Sequence, residues 1–324
     1  MELGIYTDSL SALDRGAALD VAVDIGATAL EIATGGQSTA PHLARADLLD
    51  SADARARLLD EIASRGLRLA ALNCSAWLLH PRRAAEQRAI VEESFRLAAL
   101  LGVRTVVTMS GCPGDGAGAT TINWPVYAWP DELLDLQRRH WDEMVALWQE
   151  LAPVARDAGV RVALELHPLQ LVYNVPTLLD LRSAVGDVVG ANMDPSHLFW
   201  QQMDPLAVIA ALGPAIHHVH LKDTALVADQ VAIAGVLDLR SFDRPEGRAW
   251  NFRTVGRGHD RAFWSAFVAA LAAIGYDGPL SIEHEDRSED PLVGVAESAA
   301  FARGILAEGP PLRGDPASSV RPAD

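Results

Sequence analysis

The sequence predicts an α/β fold, a single-domain (β/α)₈ barrel. Short β-type runs alternate eight times, in strict order, with longer segments of helical period, and alternating strand–helix units build parallel sheets. Helical segments close on glycine just before the next strand. Acidic and histidine residues crowd the ends of the last four strands, where a barrel of this kind carries its chemistry.

The expected strands are residues 3–7, 29–33, 67–73, 105–109, 160–166, 188–193, 215–221 and 279–283, each apolar and bounded by turn-formers. The expected helices are residues 11–26, 47–65, 84–101, 131–158, 176–185, 205–212, 261–275 and 291–306. Gly26, Gly66, Gly102, Gly159 and Gly275 stand at helix ends, where a left-handed residue satisfies the last carbonyls and only glycine takes positive φ without cost. An open doubly wound sheet would want a glycine-rich phosphate loop after its first strand. Thr7-Asp8-Ser9-Leu10 is not one. The barrel is expected over residues 1–307, with two long irregular segments, 111–130 and 223–258, on the strand-to-helix side. Residues 308–324, rich in proline, glycine and serine, read as a flexible tail.

Of the 324 residues, 49% are hydrophobic and 22% charged, which is ordinary for a globular chain, and the net charge is −16. So acidic a surface repels phosphate backbones and anionic membranes, so neither nucleic acid nor membrane is expected as a partner. Cys74 and Cys112 cannot form a disulfide framework, and neither lies in a metal-binding Cys-x-x-Cys. No leader-like N-terminus and no apolar run of ~18 residues is present, so the expected location is cytoplasmic.

The fifth strand ends in Glu165-Leu166-His167-Pro168 and the sixth in Asn192-Met193-Asp194-Pro195-Ser196-His197. The seventh carries His217-His218-Val219-His220-Leu221-Lys222-Asp223 and the eighth ends in Glu283-His284-Glu285-Asp286. Side chains two apart on a strand share a face, which pairs Glu165 with His167, His218 with His220, and Glu283 with Glu285. A lone glutamate near a strand end is ordinarily solvated or ion-paired. His217 and His218 could be satisfied by carbonyls, and His284 should face the helices. The signal is the coincidence of four neighbouring strands. Bare carboxylates gathered in a low-dielectric mouth repel one another, and a divalent cation removes that cost. Carboxylates with imidazole and no thiolate suit Mn²⁺, Mg²⁺, Co²⁺, Fe²⁺ or Zn²⁺. Trp141, Trp148 and Trp264 sit at helical spacing and read as packing residues. Trp124, Trp129, Trp200 and Trp250 fall in loops of the same face, where a flat ring suits a sugar or an aromatic aglycone.

Over almost its whole length the sequence resembles the xylose-isomerase-like TIM-barrel superfamily of sugar-phosphate isomerases and epimerases. The most specific stretches are residues 163–168, 192–205, 218–224, 256–260 and 275–286. The resemblance implies one divalent ion, Mn²⁺ first among those above, held by Glu165, Asp194, His220 and Glu283. It implies that Glu165 and Glu283 also accept and return a proton, and that His197 either supports the ligands from behind or contacts substrate. Lys222 and Arg257, within the matching stretches, are expected to bind substrate together with Trp124 and Trp129. The implied chemistry is proton abstraction α to a carbonyl of a sugar, giving isomerisation or epimerisation through an enediolate. No cluster of basic residues marks a phosphate site. The two long segments and the Glu165/His167 pair are also similar to the catalytic subunit of C-glycoside deglycosidases. In those, a lyase reaction eliminates a β-substituent from a 3-oxo-glycoside, with His167 as the matching base and a small second subunit as partner. An oligomer, with a sugar or glycoside as the small-molecule ligand, is the expectation under either reading. A trinuclear apurinic endonuclease would need further ligands where the second and third strands end in Thr34 and Asn73. A non-catalytic sugar-binding barrel would not need Glu165 and Glu283 beside His167.

Overall fold

The computed structural model describes residues 1–309. Its parallel strands are β1 (Glu2–Tyr6), β2 (Ala29–Ala33), β3 (Arg68–Asn73), β4 (Thr105–Thr108), β5 (Arg161–Glu165), β6 (Val189–Met193) and β7 (Ile216–Leu221). Two short strands follow, β8 (Asp223–Leu226) and β9 (Trp250–Arg253), and then β10 (Pro279–Ile282). The barrel closes in the order β1-β10-β7-β6-β5-β4-β3-β2, while β8 and β9 form a separate antiparallel pair. The eight expected strands are therefore the eight barrel strands, each within a residue or two of its predicted ends.

Strand alternation divides the apolar residues into two layers. Leu30, Ile32, Leu72, Val162, Leu164 and Val219 belong to the large core shared with the helices. Ala71, Val107 and Ala163, one position out of phase, form a small cluster of their own inside the barrel. The interior is thus lined at that level by small side chains, and the space above them is left to polar groups. The β2–β3 register shifts between Leu30 and Glu31, and the β6–β7 register between Ala191 and Asn192. Such irregularities re-aim side chains and are common beside functional sites.

The expected helix over residues 47–65 is two helices, Arg45–Asp50 and Ala52–Ala63, because Ser51 adopts extended backbone and caps the second by accepting from the Ala54 amide. The first helix begins later than expected, at Arg15, after a 3₁₀ turn over Thr7–Leu10. A six-residue helix, Pro195–Trp200, was not foreseen. The segment 223–258 is not irregular throughout: it holds β8, β9 and the helix Ala228–Ala234. Segment 111–130 contains neither helix nor strand. All five helix-ending glycines lie at positive φ. The last helix runs on to Glu308, and the expected tail lies, from residue 310, outside the described residues. Cys74 and Cys112 are buried free thiols, pushed up by burial to about 11 and about 12. Among the described residues no helix is long and apolar enough to cross a membrane.

Candidate metal centre

Four side chains of the strand ends converge. Glu165 is the last residue of β5, Asp194 directly follows β6, His220 lies near the end of β7 and Glu283 directly follows β10. Each offers a ligand atom within 4.8 Å of the other three. Asp194 is placed by the chain that follows it. Pro195 opens a helix, and Asp194 caps it, its Oδ1 accepting from the Ser196 amide at 2.8 Å. That bond aims Oδ2 into the cluster, where this buried oxygen has no hydrogen-bond partner. His220 Nδ1 lies 3.0 Å from Glu283 Oε2 and 3.9 Å from Asp194 Oδ2. With metal–ligand bonds of ~2.1 Å, neighbouring donors stand ~3.0–3.4 Å apart, so the His220–Glu283 spacing suits two ligands of one ion. The orphaned oxygen, the hard donor set and this spacing together fit a divalent cation.

The electrostatics are those of a crowded acidic site. Burial, reinforced by the charge of Glu283, raises the Glu165 carboxyl above its ordinary value. Burial would do the same to Glu283, but Lys222 and His220 outweigh it and hold it far below. Lys222 would lose its proton on burial alone, yet Glu283 and Glu285 keep it charged. Its Nζ lies 3.2 Å from Glu283 Oε2 and 2.5 Å from Glu285 Oε2. Burial and the neighbouring His167 hold His197 well below the usual imidazole range. Neutral His197 lies with Nε2 2.9 Å from Glu165 Oε1.

Beneath this cluster is a second one that the sequence reading missed. Glu31, in the middle of β2, is fully buried. Its Oε1 accepts from Asn73 Nδ2 at 2.7 Å, its Oε2 lies 2.6 Å from His218 Nε2, and both oxygens lie 3.1 Å from His220 Nε2. The signal was available: Ala29-Leu30-Glu31-Ile32-Ala33 carries a single carboxylate in an otherwise apolar parallel strand. Glu31, His218 and His220 also have metal-type proximity. However, a 2.6 Å contact is a hydrogen bond rather than a ligand pair, and the Asn73 amide presents its protons to the same carboxylate. Tyr6, also missed, stacks on His220 with ring centroids 6.0 Å apart.

The remaining predicted residues divide by distance. Strand geometry ends at Glu165, and His167 sits in the turn beyond, its amide donating to the Glu165 carbonyl at 2.8 Å. Its ring lies 4.1 Å from that of His197, and its Nδ1 faces the Pro168 carbonyl. The β8–β9 hairpin returns over the mouth. Phe252 of β9 lies 4.5 Å beneath Lys222 Nζ and edge-on to His197 at 5.5 Å. Trp250 stacks on Trp200 at 4.7 Å, tying the hairpin to the short helix after Asp194. Its return is held by buried Asp223, which accepts from the amides of Gly256, Gly258 and His259, each at 3.0 Å. A Cβ at Gly258 would meet the Thr224 carbonyl at 2.5 Å, so the close approach needs glycine. Arg257 is not brought to the cluster; it pairs with Glu289 at 2.7 Å and Glu297 at 2.5 Å. Trp124 packs edge-on against Tyr173 at 5.3 Å, and Trp129 is 71% exposed. His284 turns away from Glu283, towards Thr254 and the last helix.

A closed eight-stranded barrel with a carboxylate–imidazole centre at the C-terminal ends of its strands defines a narrow class. The chain matches the Xylose isomerase-like TIM barrel family over residues 19–305 and belongs to it. Uncharacterized protein YfiH of Bacillus subtilis (strain 168) is 40% identical over 313 residues, 95% of this chain and 100% of its own. Inosose dehydratase of Serratia proteamaculans (strain 568) is 26% identical over 178 residues, 52% of this chain and 55% of its own. Among solved structures, the probable 3-DHS dehydratase AsbF of Bacillus anthracis superposes with TM-score 0.65 at 16% identity, over 95% of this chain and 99% of that one. The IOLI protein with a binding zinc atom gives 0.65 at 18%, over 95% and 99%. D-psicose 3-epimerase in the presence of D-fructose gives 0.59 at 16%, over 95% and 98%. At these identities the structural likeness is one of fold.

Proposed function

We propose that this chain is a divalent-metal-dependent carbohydrate enzyme that removes a proton from the carbon beside a carbonyl, in the manner of a sugar isomerase or epimerase. The observation that carries the reading is the presence of two differently supported carboxylates, Glu165 and Glu283, in one donor cluster with Asp194 and His220. A divalent ion held there, Mn²⁺ first, would supply the positive charge that stabilises the anion left when the proton departs. Glu165, steadied by His197, takes the proton; Lys222, fixed between Glu283 and Glu285, holds a substrate hydroxyl or carbonyl oxygen; Phe252 shields that side from water. The zinc named for IOLI and the epimerase of the same fold support this reading.

A second reading, loss of a β-substituent, is favoured by a specific observation. His167 stands against His197 and has a ring nitrogen, Nε2, left free when Nδ1 donates to Pro168. It could deliver or accept the additional proton that elimination requires. The dehydratases among the similar proteins point the same way. Elimination from a 3-oxo-C-glycoside is the variant that would use a second small subunit, docking on the exposed Tyr127, Trp129, Leu237 and Leu239 of the long segments.

The test is incubation of the purified chain and Mn²⁺ in D₂O with ketoses, inososes and 3-oxo-glycosides, followed by NMR. Exchange of the proton α to the carbonyl, abolished by chelation, is expected. Product structure separates epimerisation from elimination. Absence of exchange on every class, or exchange indifferent to chelation, would overturn the reading.

A further inference from the structure

His220 presents two nitrogens to two different clusters. Nδ1 faces Glu283 and Asp194, whereas Nε2 lies 3.1 Å from both oxygens of Glu31. An imidazole can ligate only through an unprotonated nitrogen, and which nitrogen that is depends on the partner of the other. Glu31 has no competing use. It is wholly buried, reaches no solvent, and its oxygens are occupied by Asn73, His218 and His220. Its carboxylate therefore has acceptor sites only for N–H groups, and the proton of His220 is drawn to Nε2.

We infer that Glu31 is the positioning residue of the metal centre, fixing the His220 ring and its tautomer so that Nδ1 is presented as a ligand. Asn73 and His218 are the outer supports that keep the Glu31 carboxylate in place. Tyr6, stacked on the ring, restricts its tilt. The inference rests on the metal-dependent reading above and adds a residue that does not itself touch the ion. Removing the carboxylate should act through His220 in a defined way. In Glu31→Gln the amide NH₂ can donate to Nε2, which moves the ring proton to Nδ1 and blocks the ligand atom.

The experiment uses the full chain. Zn²⁺ and Mn²⁺ affinities are measured by calorimetry for the wild type, Glu31→Gln and Val107→Ala, the last a truncation of the small apolar cluster inside the barrel. Wild type should bind one ion. Glu31→Gln should bind it more weakly by roughly 10–100-fold, the usual effect of losing such a support. Val107→Ala should lose thermal stability and keep its affinity. A wild type that binds no ion would overturn the metal reading and this inference with it. A wild type that binds while Glu31→Gln retains full affinity would overturn the inference alone. If Glu31→Gln does not fold, ¹⁵N-histidine NMR of the Zn²⁺-loaded wild type decides. A proton on His220 Nε2 is expected, and a proton on Nδ1 would refute the assignment.

Discussion

The Glu31 carboxylate has N–H groups from three side chains around it, whereas Asp194 Oδ2, also buried and nearer the mouth, has no partner. The two clusters share His220 and are built in opposite senses. In the lower one, every acceptor faces a donor, so nothing further can enter without breaking hydrogen bonds. In the upper one, Lys222 and His220 offset the charge of Glu283, but Glu165 is still raised by burial and by that charge and Asp194 Oδ2 has no partner, a repulsion that a further cation would relieve. A closed network sets geometry; an open one takes a ligand. The contrast also explains why a fold that needs a stable core can keep so many buried charges: the unfavourable ones sit directly above a network that is fully satisfied.

The sharpest way to break the comparison is to close the open cluster. Asp194→Asn keeps the oxygen that caps the helix Pro195–Trp200, since asparagine caps as well as aspartate, but removes the charge that faces His220 and His197. Metal affinity should fall at least ~100-fold, beyond the loss of an outer support, while the metal-free melting temperature changes little. Chelation of the wild type should lower stability by about 2.7 kcal/mol if the ion was present at 100 times its Kd, or roughly 5 °C in Tm. Unaltered ion binding in Asp194→Asn would mean the unpartnered oxygen is not a ligand.

His167 tests whether proton handling and ion holding are separable. It lies on the rim of the open cluster, within 4.8 Å donor reach of Glu165 and His197, and half-buried. His167→Ala should keep the ion and lose turnover on the order of 10²–10⁴-fold if it transfers a proton. Bound metal with unchanged turnover would leave His167 a packing residue of the β5 turn.

A histidine outside both clusters supplies the control. His217, one residue before His218 on β7, faces the other way and lies with Nδ1 2.9 Å from the Val162 carbonyl. Burial lowers it to about 4 from an ordinary 6.5. The unfolded chain therefore takes up a proton near pH 6.5 that the folded chain refuses until near pH 4, so stability falls as pH drops through that window. The fall is about 3 kcal/mol from this group, at 1.36 kcal/mol per unit. His217→Asn, whose amide can still donate to Val162, should flatten that part of the stability–pH curve in denaturant titrations. A parallel curve would show that His217 is not the proton sink.

How far each part was legible follows the same physics. The barrel strands could be read because each is a short apolar run ended by glycine, proline or a charge. The crowding of acidic and histidine residues at the ends of the last four barrel strands could be read because strands end where polar residues begin; which four of them form the upper cluster was implied by the family resemblance. Glu31 does not lie at a strand end: its signal is a lone carboxylate in an apolar strand, and its partners come from β3 and β7, distant in sequence. The β8–β9 pair was missed because its two four-residue strands are separated by a long excursion, and no local pattern records a pairing of that span. Arg257 lies in a matching stretch, yet there the backbone carries the role: the amides beside it hold Asp223.

Arg257 also supplies the smallest expected effect, and it limits the comparison from outside. Its guanidinium bridges Glu289, just before the last helix, and Glu297 within it, and the residue is exposed. Exposed pairs of this kind contribute ~0–1 kcal/mol each, because water screens them and two long side chains must be ordered. Arg257→Ala should therefore leave Tm nearly unchanged, with metal affinity unaltered. KM should stay within about twofold, since a side chain directed at the last helix removes no substrate contact when truncated. Gly258→Ala, by contrast, would push a Cβ into the Thr224 carbonyl and disturb the whole return of the hairpin. If Arg257→Ala raised KM tenfold while Tm held, the guanidinium would have to leave its two glutamates and reach over the mouth in the substrate complex. The boundary between framework and site would then run through Arg257 itself.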